Sequence, residues 1–230
     1  MVAKAVSPED LASGDVQVIE VSDQPAITLD AGFLFSADFS RLDDDLLLQG
    51  SESGEVLLRD YFAQAEPPPL QSAEGAQLTS ETLEVLAGPA QPQAYAQAAG
   101  NPQLGPQIGE VSSLNGTARV LHTDGTRADL SEGDPVYLGD VVSIGVGADL
   151  GILFVDDTVF SLSSNARMVI DELIYNPAGD ANSMGVSLIQ GTFVFVTGKI
   201  ATSGGMDVET PVGTIGIRGT TVGVQIATLG

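Results

Sequence analysis

Gly109-Glu110-Val111-Ser112-Ser113-Leu114-Asn115-Gly116-Thr117-Ala118-Arg119-Val120-Leu121 is the stretch that decides the fold class. Two short runs with strand-like alternation flank Asn115-Gly116, a dipeptide suited to a tight hairpin turn. The spacing predicts a β-hairpin here. The same grammar continues downstream. Thr123-Asp124-Gly125-Thr126 supplies a turn, and Gly133-Asp134 and Gly139-Asp140 bracket Pro135-Val136-Tyr137-Leu138. Residues 150–155 turn through Asp156-Asp157-Thr158 into 159–162, and Gly191 alone separates the runs 186–190 and 192–196. Turn signals every ~8–12 residues across 107–230 predict an all-β domain, an antiparallel β-sandwich, a barrel or a β-roll.

Composition agrees. Of 230 residues 43% are apolar, enough for a buried core, while aromatics are 5% and Trp is absent, so Val, Ile, Leu and a few Phe must build it. Twenty-seven glycines and 12 prolines fit many tight turns between short strands. The charge is lopsided: 31 acidic against 8 basic residues gives −23, a field that repels phosphate backbones and anionic lipid heads. Nucleic acid is therefore not an expected partner. With no cysteine, disulfides, thiolate chemistry and Cys-ligated zinc are excluded. The single histidine, His122, lies beside the 123–126 turn and reads as a solvent-facing residue at a strand end.

Upstream, the chain divides into two further regions. In 1–66, Asp44-Asp45-Leu46-Leu47-Leu48-Gln49 and Glu55-Val56-Leu57-Leu58-Arg59-Asp60-Tyr61-Phe62 flank Gly50-Ser51-Glu52-Ser53-Gly54, a predicted hairpin, and Val16-Gln17-Val18-Ile19-Glu20-Val21 alternates as a strand. Three prolines, 67–69, close this β-rich region. In 67–106, Ser80-Glu81-Thr82-Leu83-Glu84-Val85-Leu86-Ala87 reads as one short helix at about 80–87. Thr79 or Ser80 is placed to cap it, and Gly88-Pro89 to stop it. A Pro/Gln/Ala linker follows, which makes 107–230 a separate domain. No run of ~20 apolar residues is present to cross a membrane as a helix. No apolar run follows Lys4 to make a Sec-type signal peptide. Either the protein stays in the cytoplasm or it leaves by a route that does not read the N-terminus.

The order of motifs in the last domain resembles the FecR family. It runs through Gly133-Asp134 and Gly139-Asp140, then Asp156-Asp157-Thr158 and Gly191-x-Phe193. It closes on Thr210-Pro211-Val212-Gly213-Thr214-Ile215-Gly216-Ile217-Arg218-Gly219-Thr220. In that ending Ile215 and Ile217 share a face, and Arg218 points away from them, either as a clamp on a carboxylate or carbonyl or toward a ligand. Thr210-Pro211 marks a strand edge, because Pro donates no ladder hydrogen bond.

The best-known members of that family are inner-membrane regulators that pass a periplasmic signal to a sigma factor. Similar domains occur near the N-termini of very large surface proteins exported by type I secretion. The run from Asp44 to Phe62 resembles a segment of bacterial RTX-type secreted proteins. Ala98-Ala99-Gly100 resembles the site at which Lap-type adhesins are cut from the outer membrane.

The resemblance implies a non-catalytic docking, retention or presentation module of a large secreted or cell-surface adhesin-like protein, with a protein partner in the envelope. The alternative it leaves is a periplasmic sensory domain that binds a regulatory partner. For an enzyme, the pairs Asp156/Asp157, Asp171/Glu172 and Asp207/Glu209 are the candidates for acid–base work, and no nucleophile motif or phosphate loop accompanies them. No catalytic residue and no cofactor is expected. Adjacent carboxylates are chemically able to ligate Ca2+, but neither EF-hand nor RTX spacing anchors it. Strand edges offer a route to self-association.

Overall fold

The computed structural model describes residues 16–21, 24–50, 54–89, 104–177, 182–203, 205–219 and 221–226. It falls into two compact units, Met1–Asn101 with Thr228–Gly230, and Pro102–Ala227. Both are built from strands with only short helices between them, and the fold class is all-β.

The first unit runs β1 (Val16–Glu20), β2 (Ile27–Leu29), α1 (Ala31–Ser36), β3 (Asp38–Leu42), β4 (Asp45–Gln49), β5 (Glu55–Arg59), β6 (Leu70–Ser72), β7 (Gln77–Leu78) and α2 (Ser80–Ala87). Its sheets have the orders β1-β5-β4-β3 and β2-β6-β7. The predicted hairpin is β4–β5, with Leu47 opposite Leu57. Alternation sends Leu46, Leu48, Val56 and Leu58 inward, all fully buried. At about 1.5–3 kcal/mol for each such side chain, this face anchors the unit. The helix lies where its cap and stop signals put it: Thr79 Oγ1 accepts the Thr82 amide at 3.2 Å, and Gly88 takes φ 71°. Past the three prolines the chain stays with the same unit, for the Tyr61 hydroxyl donates to the Pro68 carbonyl at 2.7 Å in the buried interior. That burial pushes the Tyr61 phenol far above its ordinary range.

In the second unit the strands are β8 (Gln107–Asn115), β9 (Ala118–Leu121), β10 (Arg127–Asp129), β11 (Pro135–Tyr137), β12 (Val141–Ile144), β13 (Asp149–Phe154), β14 (Val159–Ile174) and β15 (Ser183–Val196). Then come α3 (Ile200–Ser203), β16 (Gly205–Thr210), β17 (Gly213–Ile217) and β18 (Thr221–Ile226). The spine is the long antiparallel pair β14–β15. On its other edge β14 pairs first with β13 and then with β12. β15 likewise carries β16 in parallel along 183–187 and β18 antiparallel along 191–196. Phe160, Leu162, Met168, Ile170, Val186, Leu188, Phe193 and Phe195 point from this spine into one core. Phe160 stacks on Phe195 at 4.7 Å between ring centroids.

Three expectations are corrected. Residues 109–121 form two strands but no hairpin: β8 is flanked by β13 and β11, and β9 by β10 and β12. With both edges of β8 taken, Asn115-Gly116 passes the chain from one ladder to another. Gly191 does not divide two strands either, for β15 continues through it with a register shift opposite residues 163–167. Glycine is required there: φ is 103°, and a Cβ would lie 2.4 Å from the Ala166 Cα. The third concerns His122, described next.

Candidate functional site

Two turns of the second unit share one hydrogen-bond plan, built on Gly-Asp. In the first, Asp134 Oδ2 accepts the Ser131 amide at 2.7 Å while the Asp134 amide donates to the Ser131 carbonyl at 3.1 Å. In the second, Asp140 Oδ2 accepts the Tyr137 amide at 2.8 Å while the Asp140 amide donates to the Tyr137 carbonyl at 3.2 Å. Gly133 and Gly139 supply φ of 89° and 85°. This is the Asp chemistry of tight turns.

The second turn differs in depth. Asp140 is 1% exposed, and its Oδ1 lies 2.7 Å from His122 Nδ1. His122 is therefore half-buried and bound to a carboxylate, with the Tyr137 ring edge-on at 5.6 Å. The solvent-facing reading fails because β9 and β12 pair in register and bring His122 beside Asp140. Burial raises the Asp140 pKa, against the opposing pull of the Tyr137 amide and of His122.

Asp156, fully buried, holds the β13–β14 turn to the start of α3. It accepts the Thr158 amide at 3.0 Å, the Thr158 hydroxyl at 2.7 Å and the Ile200 amide at 3.2 Å. Its own carbonyl receives the Lys199 amide at 2.8 Å, and Thr158 Oγ1 receives the Gly198 amide at 2.9 Å. Asp157 sits outside at φ 67° and pairs with Lys199 Nζ at 2.6 Å in solvent. The pair proposed for acid–base work is thus divided, one carboxylate tied up by backbone and hydroxyl donors and one in a surface ion pair.

The remaining carboxylates lie on the exposed face of β14, β15 and β16. Ser187 pairs with Glu209 across the parallel ladder, and its hydroxyl donates to Asp171 Oδ2 at 2.7 Å. Beside this row, Glu172 and Asp207 both pair with Gly185, and the Ser183 hydroxyl bonds Glu172. Although Asp171 is exposed as a residue, the protein around its carboxyl raises its pKa, and the charge of Glu209 adds to the effect. Among the described residues no group of three or more His, Cys, Asp or Glu is arranged to hold a metal ion.

The ending that carried the resemblance forms the β16–β17 hairpin, turning at Pro211-Val212, with Thr210 Oγ1 bonded to the Gly213 carbonyl at 2.6 Å. Ile217 is buried and Ile215 exposed. Arg218 is exposed, and no hydrogen bond or ion pair holds it among the described residues; Gly219 follows at φ 54°. Thr220 and the strip Ala98-Ala99-Gly100 lie outside the described residues. The structure thus brings Gly139, Asp140 and His122 together, and Asp156 with α3. Sequence reasoning missed the His122–Asp140 pair and the Asp171–Ser187–Glu209 row. Neither has a local signature, since each joins residues that only strand register makes neighbours.

The class these features define is an all-β domain built on the long antiparallel β14–β15 pair, its Gly-Asp turns pinned by carboxylates. Residues 140–228 match the family model described as FecR protein, a span that takes in the Asp140 turn, the β14–β15 spine and the strands that follow it. A solved cell surface anchoring domain is 30% identical, over 27% of this chain and 83% of its own, with a TM-score of 0.27. No curated protein matches the sequence.

Proposed function

We propose that this chain is a non-catalytic docking or presentation module of a large secreted or cell-surface adhesin-like protein, binding a protein partner in the bacterial envelope. The observation that carries this reading is the FecR match over 140–228, which falls on a unit whose buried carboxylates are engaged in holding turns together. A general acid or base needs a carboxyl free to meet a substrate proton. Asp140 and Asp156 instead satisfy backbone amides at hydrogen-bond distance. The family is one of signalling and regulation through protein contacts, which fits the same reading. The hairpin β4–β5, formed by the segment that resembles RTX-type proteins, and the charge of −23 with no cysteine, agree with a secreted setting. No helix among the described residues is long and apolar enough to cross a membrane.

The test is saturable binding of the purified chain to isolated envelope fractions. Binding to outer-membrane material that is lost when Gly191→Ala disrupts the spine supports docking through the second unit. Binding confined to inner-membrane protein favours the second reading, a periplasmic sensory domain of the FecR signalling type, which the same family match supports. Absence of saturable binding to either fraction overturns both.

A further inference from the structure

In the second unit four strands have a partner on one side alone among the described residues: β10, β11, β17 and β18. An open strand edge invites another strand, and proteins blunt such edges with charge, proline or a tight end. Three of the four are blunted. β10 carries exposed Arg127 and Asp129, and β11 begins on Pro135. β17 is held between the Pro211 turn and exposed Arg218. β18, Thr221-Val222-Gly223-Val224-Gln225-Ile226, has neither charge nor proline across its six residues.

Its inward row is also incomplete. Val222 and Val224 continue the rows of Phe195 and Phe193, which are fully buried, yet Val222, Val224 and Ile226 remain only half-buried. A strand added beyond β18 with apolar residues at the same parity would cover them. β18 supplies that pattern itself. In an antiparallel pair about a two-fold axis at Val224, Val224 faces its own copy, Val222 faces Ile226, and Gly223 faces Gln225. Apolar residues then meet apolar on the inner face, and small or polar residues meet on the outer. An axis midway between two residues would set inward against outward and fail. A two-fold contact needs a self-complementary patch, and this strand has one.

Charge favours the same edge. Two copies at −23 each repel, so they meet most readily where no carboxylates oppose one another. Neither β18 nor the stretch 191–196 of β15 that it pairs with contains a charged residue.

We propose that β18 is a pairing edge for a second copy of this chain, joining two second units through an antiparallel β18–β18 ladder centred on Val224. The pairing does not depend on envelope docking, so either idea can fail without the other.

Sedimentation of the full chain over a range of concentrations, at about 0.15 M salt where surface repulsion is screened beyond ~8 Å, reads it directly. A reversible monomer–dimer equilibrium is expected. The register is read by paired variants on the exposed outer face, where Gly223 has room for a side chain and nothing lies within 4 Å. Gly223→Lys with Gln225→Glu places opposite charges across both symmetry-related pairs. It should tighten the dimer roughly two- to thirtyfold, given about 0.2–1 kcal/mol for each cross-strand pair. Gly223→Lys with Gln225→Lys places like charges there and should weaken it, with thermal melting of the monomer confirming the fold.

Val224→Cys in this cysteine-free chain should crosslink to itself under mild oxidation, because facing strand residues lie within disulfide reach. A chain that stays monomeric at every concentration and gives no Val224→Cys crosslink overturns the proposal. So does a dimer indifferent to both charge variants.

Discussion

Asp156 Oδ2 accepts the Ile200 amide at 3.2 Å, joining the turn between β13 and β14 to the first residue of α3 across 44 positions of sequence. The Thr158 amide and hydroxyl bond the same carboxylate, so one buried side chain fixes three donors. Asp156→Ala leaves all three in the interior with no acceptor. An unsatisfied buried group costs about 1–3 kcal/mol, and the loss here should be about 3 kcal/mol or more. Urea denaturation measures it. Asp156→Asn, which keeps one acceptor oxygen, should cost less than Asp156→Ala.

His122 is a partner of a buried carboxylate. His122→Ala removes the group 2.7 Å from Asp140 Oδ1 and leaves only the turn's own amide to support that charge. A destabilisation of about 1–3 kcal/mol follows at neutral pH. Chemical denaturation of the variant beside the parent reads it; a difference below ~0.5 kcal/mol would place His122 among ordinary surface residues.

Asp171 provides a pH dependence of fixed sign. Its folded-state pKa is raised, first by the surrounding protein and then by Glu209. The folded state therefore binds this proton more tightly than the unfolded chain does. As pH falls through the raised value toward the ordinary carboxylate range near ~4, protonation adds stability to the parent. Asp171→Asn cannot gain it. Stability of Asp171→Asn relative to the parent should decline as pH is lowered over that interval, in denaturation curves collected at each pH. Glu209→Gln should flatten the trend by removing one of its causes.

Gly191 sits where the β14–β15 register shifts. An added Cβ would meet the Ala166 backbone and side chain at 2.4 and 2.5 Å, at a φ of 103°. Gly191→Ala should cost about 2–4 kcal/mol, combining backbone strain with forced separation of β14 from β15. Gly223→Ala, in open space on an ordinary extended backbone, should stay within ~0.5 kcal/mol of the parent and serves as the control.

Local chemistry was legible in the sequence, and pairing was not. The helix at Ser80–Ala87, the β4–β5 hairpin and the bends at Gly133 and Gly139 all follow from residues within a few positions of one another. β14 is the contrary case. Its middle, Ser163-Ser164-Asn165, is polar, and Asn165 takes φ 60°, so nothing local announces that the strand continues to Ile174. Pairing with β15 carries it through the irregular stretch. The same holds for Asn115-Gly116, where a turn dipeptide stands but both edges of β8 belong to strands farther along the chain. Among the candidate site residues, the Gly-Asp turns could be read as turns. The burial of Asp140 against His122, and of Asp156 against Ile200, depends on ladders that bring distant residues together.

The docking account is tested most directly by treating intact cells of the native source with an external protease and immunoblotting with an antibody against the second unit. The account predicts a polypeptide far larger than the 23.6 kDa of this chain, lost when intact cells are treated. A band of about that mass that resists the protease until the cells are broken would contradict it.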